Sequence, residues 1–424
     1  MKRRVVITGL GCITSAGPDV ASLWEAIRTG RGGIGLLTRF DPASFGFKEK
    51  WAAQADFYDP ADHFPPHHRK RLDRYAQLSL VAAAQAWADA GLPPRTEDDA
   101  PDYDTGISFG TALGGIAIAE EQHTRFLEKG AKASGTASIP PALAFQVFGA
   151  SAHANIAIRH RLRGYATTNG NSCAAGVVAV GEAFRAIRDG YARRMIAGGA
   201  EAPLAPLAFG AFAAVKAMSR ESSDPALACL PFDRRRTGFV MGEGAAALIL
   251  EERETALARR APIYAEVVGY ALNNDAYHMT SSLADGAAAA AAMAGAIAEA
   301  SLAPRDIGYI NAHASGTPMN DENEVAAIRR VFGPTNHCPA LSGTKPFYGH
   351  PLGASGAIES VLCALALRHQ FVPPTLHCDE PDPACLDGVD LIRFRGEARP
   401  LRHVLNNAFG FGGINASLVL SQPS

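Results

Sequence analysis

Thr167-Thr168-Asn169-Gly170-Asn171-Ser172-Cys173-Ala174-Ala175-Gly176 is a polar turn that opens into an amphipathic run. Beyond it, Val177, Val180, Phe184 and Ile187 recur on one helical face with Gly181 beside them, and Asp189-Gly190 ends the run. The pattern predicts a helix with Cys173 at its N-terminus. Unpaired backbone N–H groups and the positive end of the helix dipole converge there and favour a thiolate over a thiol. The dipole supplies only ~0.3–1 kcal/mol, less than the ~1.4 kcal/mol of one pKa step, so a nucleophile here needs cationic or imidazole partners. Taken alone, Cys173 is either such a nucleophile or a buried, inert cysteine.

The surrounding chain narrows the choice. Its 424 residues can enclose a large core and suggest two domains or one duplicated unit. A hydrophobic content of 47% with 19% charged residues is that of a globular protein. A net charge of −2 with no long basic run argues against nucleic-acid binding, so any acidic partner must meet a local basic patch. Seven cysteines without a close-spaced zinc-type pair fit a reducing compartment, and Cys378 with Cys385 is a poor metal signature, so no metal is expected. Met1-Lys2-Arg3-Arg4 leads directly into Val5-Val6-Ile7-Thr8 with no long apolar stretch, so neither a secretory signal nor a membrane span is expected and the cytoplasm is the expected compartment.

Read in order, the opening strand leads to a glycine turn, Gly9-Leu10-Gly11-Cys12, whose dinucleotide-type pattern is broken by Thr14. Residues 41–66 read as irregular surface, and a helix is expected from about Arg71 to Ala90, preceded by Arg69-Lys70 and carrying Arg74. Ile107-Ser108-Phe109 reads as a strand entering Gly110-Thr111-Ala112-Leu113-Gly114-Gly115, an acidic helix follows around Glu120, and 138–148 reads as a packed connector. Met195-Ile196-Ala197 is a buried strand running into Gly198-Gly199-Ala200-Glu201. A glycine-bearing loop, 238–244, precedes the strand Ala246–Leu250. Strand, turn with a reactive candidate, helix, strand is an α/β arrangement.

The charged segment 251–260 is the expected seam, dividing the chain into halves 1–251 and 252–424. In the second half, a strand near Glu266-Val267-Val268 precedes an alanine-rich helix at about 287–300. Gly308-Tyr309-Ile310-Asn311 delivers Ala312-His313-Ala314-Ser315-Gly316-Thr317, and Asp321 and Glu324 begin a helix. Thr344-Lys345 leads to Gly349-His350 and another helix from about Leu352, and Asn406–Gly413 precedes the strand 416–420. Laying Ala174-Ala175-Gly176 on Ala354-Ser355-Gly356 aligns Ala186 with Ala366, Ile187 with Leu367 and Arg188 with Arg368. In both halves a candidate catalytic residue precedes the glycine-bearing start of a helix, as a duplicated fold with one shared site requires. Cys173, two loop histidines, a nearby lysine and glycine-rich backbone form a set suited to acyl-thioester chemistry: a thiol to attack, N–H groups for an oxyanion, and imidazoles for an enolate.

These motifs, collinear from Arg3 to Leu418, resemble the type II beta-ketoacyl-acyl carrier protein synthases, condensing enzymes of the thiolase fold. The resemblance rests on Cys173-Ala174-Ala175-Gly176, Gly238-Phe239-Val240-Met241-Gly242-Glu243-Gly244, Asn311-Ala312-His313, Thr344-Lys345 with Gly349-His350, and Phe409-Gly410-Phe411-Gly412-Gly413. It implies a duplicated five-layer αβαβα fold. It implies that Cys173 carries the acyl group, that His313 and His350 stabilise the malonyl-derived enolate, that Lys345 is structural and electrostatic, ordered with Glu324 and not a direct acid or base, and that Glu324 and Asp321 are supporting residues. The backbone N–H groups of Cys173 and Phe411 would form the oxyanion hole, with Phe409, Gly410 and Phe411 in the gate. Leu113 would set pocket depth, and Ser315 and Thr317 would hold the phosphopantetheine arm of an acyl carrier protein. Arg69, Lys70, Arg74 and Lys216 would receive that acidic partner. No separate cofactor is implied, and the assembly is a homodimer or a heterodimer with a cysteine-lacking chain-length factor.

The sequence departs from the family pattern at Asn169-Gly170-Asn171-Ser172, Ala314-Ser315-Gly316 and Pro346-Phe347-Tyr348. These changes spare the chemistry and touch the tunnel, so they bear on substrate choice. Fatty-acid elongation is the leading expectation, the catalytic ketosynthase of a type II polyketide or polyene pathway is its rival, and the intact cysteine and histidines oppose a non-catalytic chain-length partner.

Overall fold

The first strand, β1 (Val5–Thr14), runs well past the expected turn at Gly9-Leu10-Gly11-Cys12. The helix α1 (Arg74–Asp89), capped by the Asp73 carboxylate, lies directly on those glycines. A Cβ at Gly9 would sit 2.2 Å from the Ala86 carbonyl oxygen, and one at Gly11 would sit 2.0 Å from that of Ala82. The two glycines therefore serve close helix-on-strand packing and not phosphate binding. The computed structural model describes residues 2–129, 139–221, 223–333, 338–386 and 388–423. Ser138 of the expected connector lies outside these; its later part holds the short helix Leu143–Gln146.

The first half continues with β2 (Thr105–Gly110), β3 (Ala166–Asn169), α2 (Ala175–Arg188), β4 (Arg194–Glu201) and β5 (Gly244–Glu252). The second contributes β6 (Ala265–Asn274), α3 (Ala287–Glu299), β7 (Tyr309–Asn311), α4 (Pro318–Phe332), β8 (Ala340–Ser342), α5 (Ser355–His369), the two-residue β9 (Asp390–Leu391), β10 (His403–Gly410) and β11 (Ile414–Ser421). Between the halves stands a short helix, Arg253–Ala258.

Among the described residues the strands form an 11-stranded sheet in the order β9-β8-β7-β10-β11-β6-β1-β5-β4-β2-β3. The order and directions of one half repeat in the other. Strands β1, β5 and β4 are successively antiparallel, then β4, β2 and β3 parallel; β6, β11 and β10 are antiparallel, then β10, β7 and β8 parallel. The halves join where Val5–Ile7 pairs with Ala265–Val267.

Helix α1 packs on β1, β4 and β5, and α3 packs on β6 and β11, whereas α2 and α5 touch each other and strands of both halves. This gives five layers, with α2 and α5 in the middle. The repeated glycines fix that middle: a Cβ at Gly176 would lie 2.5 Å from the Ala357 nitrogen, and one at Gly356 would lie 2.7 Å from the Val177 nitrogen. The starts of the two central helices therefore meet, and whatever precedes each start is delivered to one place. Among the described residues no helix is long and apolar enough to cross a membrane.

Candidate active site

Cys173 sits in a short 3-10 turn, Ser172–Ala174, between β3 and α2. Ser172 adopts φ 50°, a left-handed conformation that costs a non-glycine residue energy and is held by its surroundings. Asn169 braces the turn: its Oδ1 accepts the Asn171 N–H at 3.2 Å and its Nδ2 donates to the Ala175 carbonyl at 3.1 Å. The polar approach to the cysteine is thus a bracket. Gly410 closes it from the opposite half, because a Cβ there would lie 3.2 Å from the Cys173 nitrogen and 3.1 Å from the Ser172 Cβ. The positive φ values in the 410–413 loop belong to Gly412 and Gly413, so close approach, not an unusual angle, accounts for Gly410.

Cys173 is 7% exposed, and its sulfur receives the backbone N–H of Phe411 and, at 3.9 Å, the Ser172 hydroxyl. Burial pushes the thiol up to about 11, against the weaker downward pull of Ser172, Lys345 and Phe411. The expectation of a favoured thiolate is therefore reversed: desolvation outweighs the helix end, and the resting group is a thiol.

His313 follows β7 at its C-terminal end, and His350 follows the short helix Lys345–Tyr348. Their rings face each other at 5.3 Å and 82°. Phe409 lies 5.9 Å from the His313 ring and Phe239 lies 5.1 Å from the His350 ring. Burial holds both imidazoles well below their ordinary pKa, with Lys345 adding to the shift, so both are neutral near pH 7. The Ser355 hydroxyl stands 2.8 Å from His350 Nδ1. When it donates to Nδ1, the ring proton resides on Nε2, ready to serve as a donor.

The loop after β7 is held by Glu324, whose two oxygens accept the N–H groups of His313 at 2.9 Å and Ala314 at 2.8 Å. Asp321 accepts the N–H groups of Phe232 at 2.9 Å and Gly316 at 3.2 Å. The expected pairing of Lys345 with Glu324 does not occur. Glu324 is occupied by backbone donors, and the fully buried Lys345 ammonium instead pairs with Glu359 of α5 at 2.5 Å and donates to the His313 carbonyl. Burial lifts the Glu359 carboxyl to about 7 against the lowering effect of Lys345.

Cys173, His313, His350, Phe239, Phe212, Phe409, Gly410 and Phe411 line one cavity with about 680 Å³ of open space, mouth included. Ser315 and Thr317 line it too, with their hydroxyls 3.0 Å apart. Phe411 stacks on Phe212 at 6.0 Å, and Leu113 shares an apolar cluster with Cys173, Phe212 and Leu352. The Phe411 loop is tied to the segment after β6: Gly412 N–H donates to the Met279 carbonyl and Asp275 N–H to that of Gly413, both at 2.7 Å.

The basic set divides. Lys216 is exposed next to the cavity-lining Ala217, Lys70 is exposed, and Arg69 is half-buried, but none of the three lines the cavity. Arg74 is no free patch residue. It donates from Nε and Nη2 to Glu243 at 2.7 and 2.8 Å, and to the Ala55 carbonyl at 3.0 Å, as a structural tie. Sequence reasoning missed Glu359, Ser355 as a histidine partner, and Phe212; the repeated start of α5 was the available signal for the first two. Among the described residues no group of three or more His, Cys, Asp or Glu side chains is placed to hold a metal ion.

Two family models match the chain, the beta-ketoacyl synthase N-terminal domain over residues 2–256 and C-terminal domain over residues 264–379. The 3-oxoacyl-[acyl-carrier-protein] synthase 2 of Synechocystis sp. is 40% identical over 99% of this chain and 98% of its own length. The putative polyketide beta-ketoacyl synthase 1 of Streptomyces cyaneus is 39% identical over 100% and 99%. A solved type II polyketide synthase acyl carrier protein in complex with its ketosynthase bound to the hexaketide matches with TM-score 0.91 and 35% identity, covering 100% of both chains.

Proposed function

Because the chain belongs to the beta-ketoacyl synthase family, we propose that it is a 3-oxoacyl-acyl carrier protein synthase that elongates fatty acyl chains by decarboxylative condensation with malonyl-acyl carrier protein. The observation that carries this reading is the convergence of one thiol and two uncharged imidazoles on a single cavity. In this reading the half 1–251 supplies the thiol and the half 252–424 the imidazoles.

Three steps follow. Cys173 attacks the acyl thioester carbonyl, the N–H groups of Cys173 and Phe411 take the developing oxyanion, and the carrier thiol departs with the proton that Cys173 gives up. In the second step His313 and His350 direct N–H donors at the malonyl thioester oxygen. The bond from the methylene carbon to the carboxylate breaks, carbon dioxide leaves, and its electron pair forms the enolate. In the third the enolate carbon attacks the acyl-Cys173 carbonyl, the new carbon–carbon bond forms, and the carbon–sulfur bond breaks. Cys173 leaves as a thiolate and regains the thiol by taking one proton from solvent, which balances the carboxylate consumed.

Ser315 and Thr317, with paired hydroxyls inside the mouth, suit the amide-rich phosphopantetheine arm, and exposed Lys216 suits an acidic carrier protein. No further cofactor is needed by these steps. Intact-protein mass spectrometry after incubation with a panel of acyl carrier protein thioesters tests the proposal. Acyl adducts on Cys173, followed by a β-keto product on adding malonyl carrier protein, are expected; a folded protein that loads none of the panel overturns it. The nearly equal likeness to a polyketide synthase gives a second reading, in which the chain is the catalytic ketosynthase paired with a cysteine-lacking chain-length factor. Repeated condensation without reduction, only in the presence of such a partner, would select it over a homodimeric fatty-acid enzyme.

A further inference from the structure

Outside the residues already given roles, one buried carboxylate binds both halves at the active-site floor. Glu201, at the end of β4, is fully buried, and its oxygens accept four donors. Oε1 takes the Thr111 hydroxyl at 3.0 Å and the Leu113 N–H at 3.1 Å; Oε2 takes the Ala112 N–H at 2.7 Å and the Gly353 N–H at 3.0 Å. The first three donors lie in the loop after β2, and Gly353 lies in the turn that carries the chain from His350 into α5. The junction is tight, because a Cβ at Gly353 would sit 2.5 Å from the Ala112 nitrogen and one at Gly199 would sit 2.7 Å from the Gly353 oxygen.

The duplicated fold shows what such a clamp does. Strand β2 pairs with β4 at Gly110 and Gly199, and β7 pairs with β10 at Asn311 and Asn406, so Ala112 and Leu113 occupy the places of His313 and Ala314. In the second half Glu324 takes the two consecutive N–H groups of the loop that presents a histidine. In the first half Glu201 takes the corresponding two N–H groups of the loop that presents Leu113. The same device is built with carboxylates from different elements, α4 in one half and β4 in the other. An acyl chain on Cys173 must run into the apolar side of the site, where Leu113, Leu352, Phe209 and Met241 share the cluster with the sulfur, since the opposite side holds Ser315, Thr317 and Asn320.

We propose that Glu201 is a positioning residue that locks the Leu113 wall to the Gly353 turn and thereby sets the length of acyl chain Cys173 accepts. The inference rests on the acyl-transfer reading above. In Glu201→Gln the amide nitrogen takes the Oε1 place, where the Thr111 hydroxyl can turn to accept, and the Leu113 N–H is left facing another donor. Losing that one buried hydrogen bond should shift the ratio of KM for long over short acyl carrier proteins by about tenfold in favour of longer chains, with kcat and malonyl decarboxylation close to wild type.

The test loads wild type, Glu201→Gln and Thr111→Val with acyl carrier proteins of graded chain length, and measures carbon dioxide release from malonyl carrier protein on the same samples. Thr111→Val removes the hydroxyl that donates to Glu201 and accepts the Gly114 N–H at 3.0 Å, and keeps every backbone donor to the carboxylate, so it should shift the profile in the same direction, and it decides the matter if Glu201→Gln fails to fold. A shifted length profile with retained decarboxylation supports the positioning role. An unchanged profile in a folded variant, or equal losses at every length and in decarboxylation, overturns it. A wild type that loads no acyl group at all instead overturns the functional reading beneath it.

Discussion

Replacing His350 separates the two half-reactions, because its ring is neutral, its Nδ1 is engaged by Ser355, and only Nε2 is left to act. His350→Ala removes one of two donors to the enolate oxygen. A preorganised donor of this kind is worth ~2.7–4 kcal/mol in the transition state, so decarboxylation should fall by about a hundredfold to a thousandfold. Acyl transfer relies on the N–H groups of Cys173 and Phe411 and should fall much less. Ser355→Ala makes a finer cut. It leaves the ring and releases only the bond that favours the Nε2–H tautomer, so the loss should match one neutral hydrogen bond, ~0.5–1.5 kcal/mol, or about two- to tenfold. Radiolabelled carbon dioxide release from malonyl carrier protein and acyl-enzyme formation by intact mass, measured on the same preparations, give both rates. A folded His350→Ala that decarboxylates at the wild-type rate, or that loses both half-reactions equally, would refute the assignment of His350 to the enolate.

Cys173→Ala should lose acylation entirely and keep measurable carbon dioxide release; a folded but inert variant would show that the histidines do not act alone on malonate. With the thiol at about 11, iodoacetamide labelling of Cys173 should keep rising with pH through 9 as the thiolate fraction grows, and a plateau near pH 7 would contradict its burial. Lys216→Glu should raise KM for carrier-bound substrate, spare a small thioester mimic, and lose its effect at high salt. Arg74→Glu should act differently: opposing Glu243 with a second carboxylate costs about 3 kcal/mol, read as a lower Tm, with no loss specific to the carrier-bound substrate. Gly410→Val should slow acyl loading more than malonyl decarboxylation, since a Cβ there presses on the Cys173 turn, and unimpaired loading would disprove that contact.

Period and motif carried the fold a long way, because the Val177–Ile187 stripe is the buried face of α2 and the AAG and ASG repeats are where α2 and α5 touch. The same glycine signal misled at Gly9 and Gly11, where a turn was expected and the strand runs straight on, since a glycine that admits a packed helix looks like one that turns the chain until the neighbouring helix is known. Lys345 shows a second limit. Its partner Glu359 lies one helix away on α5 and Glu324 was the more conspicuous acid, but Glu324 was committed to two backbone donors that no side-chain pattern displays. The thiol of Cys173 shows a third. A helix end is visible in sequence, whereas the burial that overrides it is a property of the packed core.

The neutrality of the site has a chemical reason. Malonyl carboxylate carries its charge before carbon dioxide leaves and passes it to the enolate oxygen afterwards. A cation close to that carboxylate would favour the ground state as much as the transition state, and only the difference between them speeds the step. Lys345, the buried cation of this region, is held by Glu359 and the His313 carbonyl. Phe409 and Phe239, against His313 and His350, help keep water from the imidazoles and so keep them uncharged. What remains for the oxygen is a pair of N–H dipoles fixed in place, whose attraction grows as negative charge arrives there. The same dry environment that raises the Cys173 thiol therefore serves the second half-reaction, and the first tolerates it because the thiol's proton is handed to the departing carrier thiol rather than lost to water beforehand.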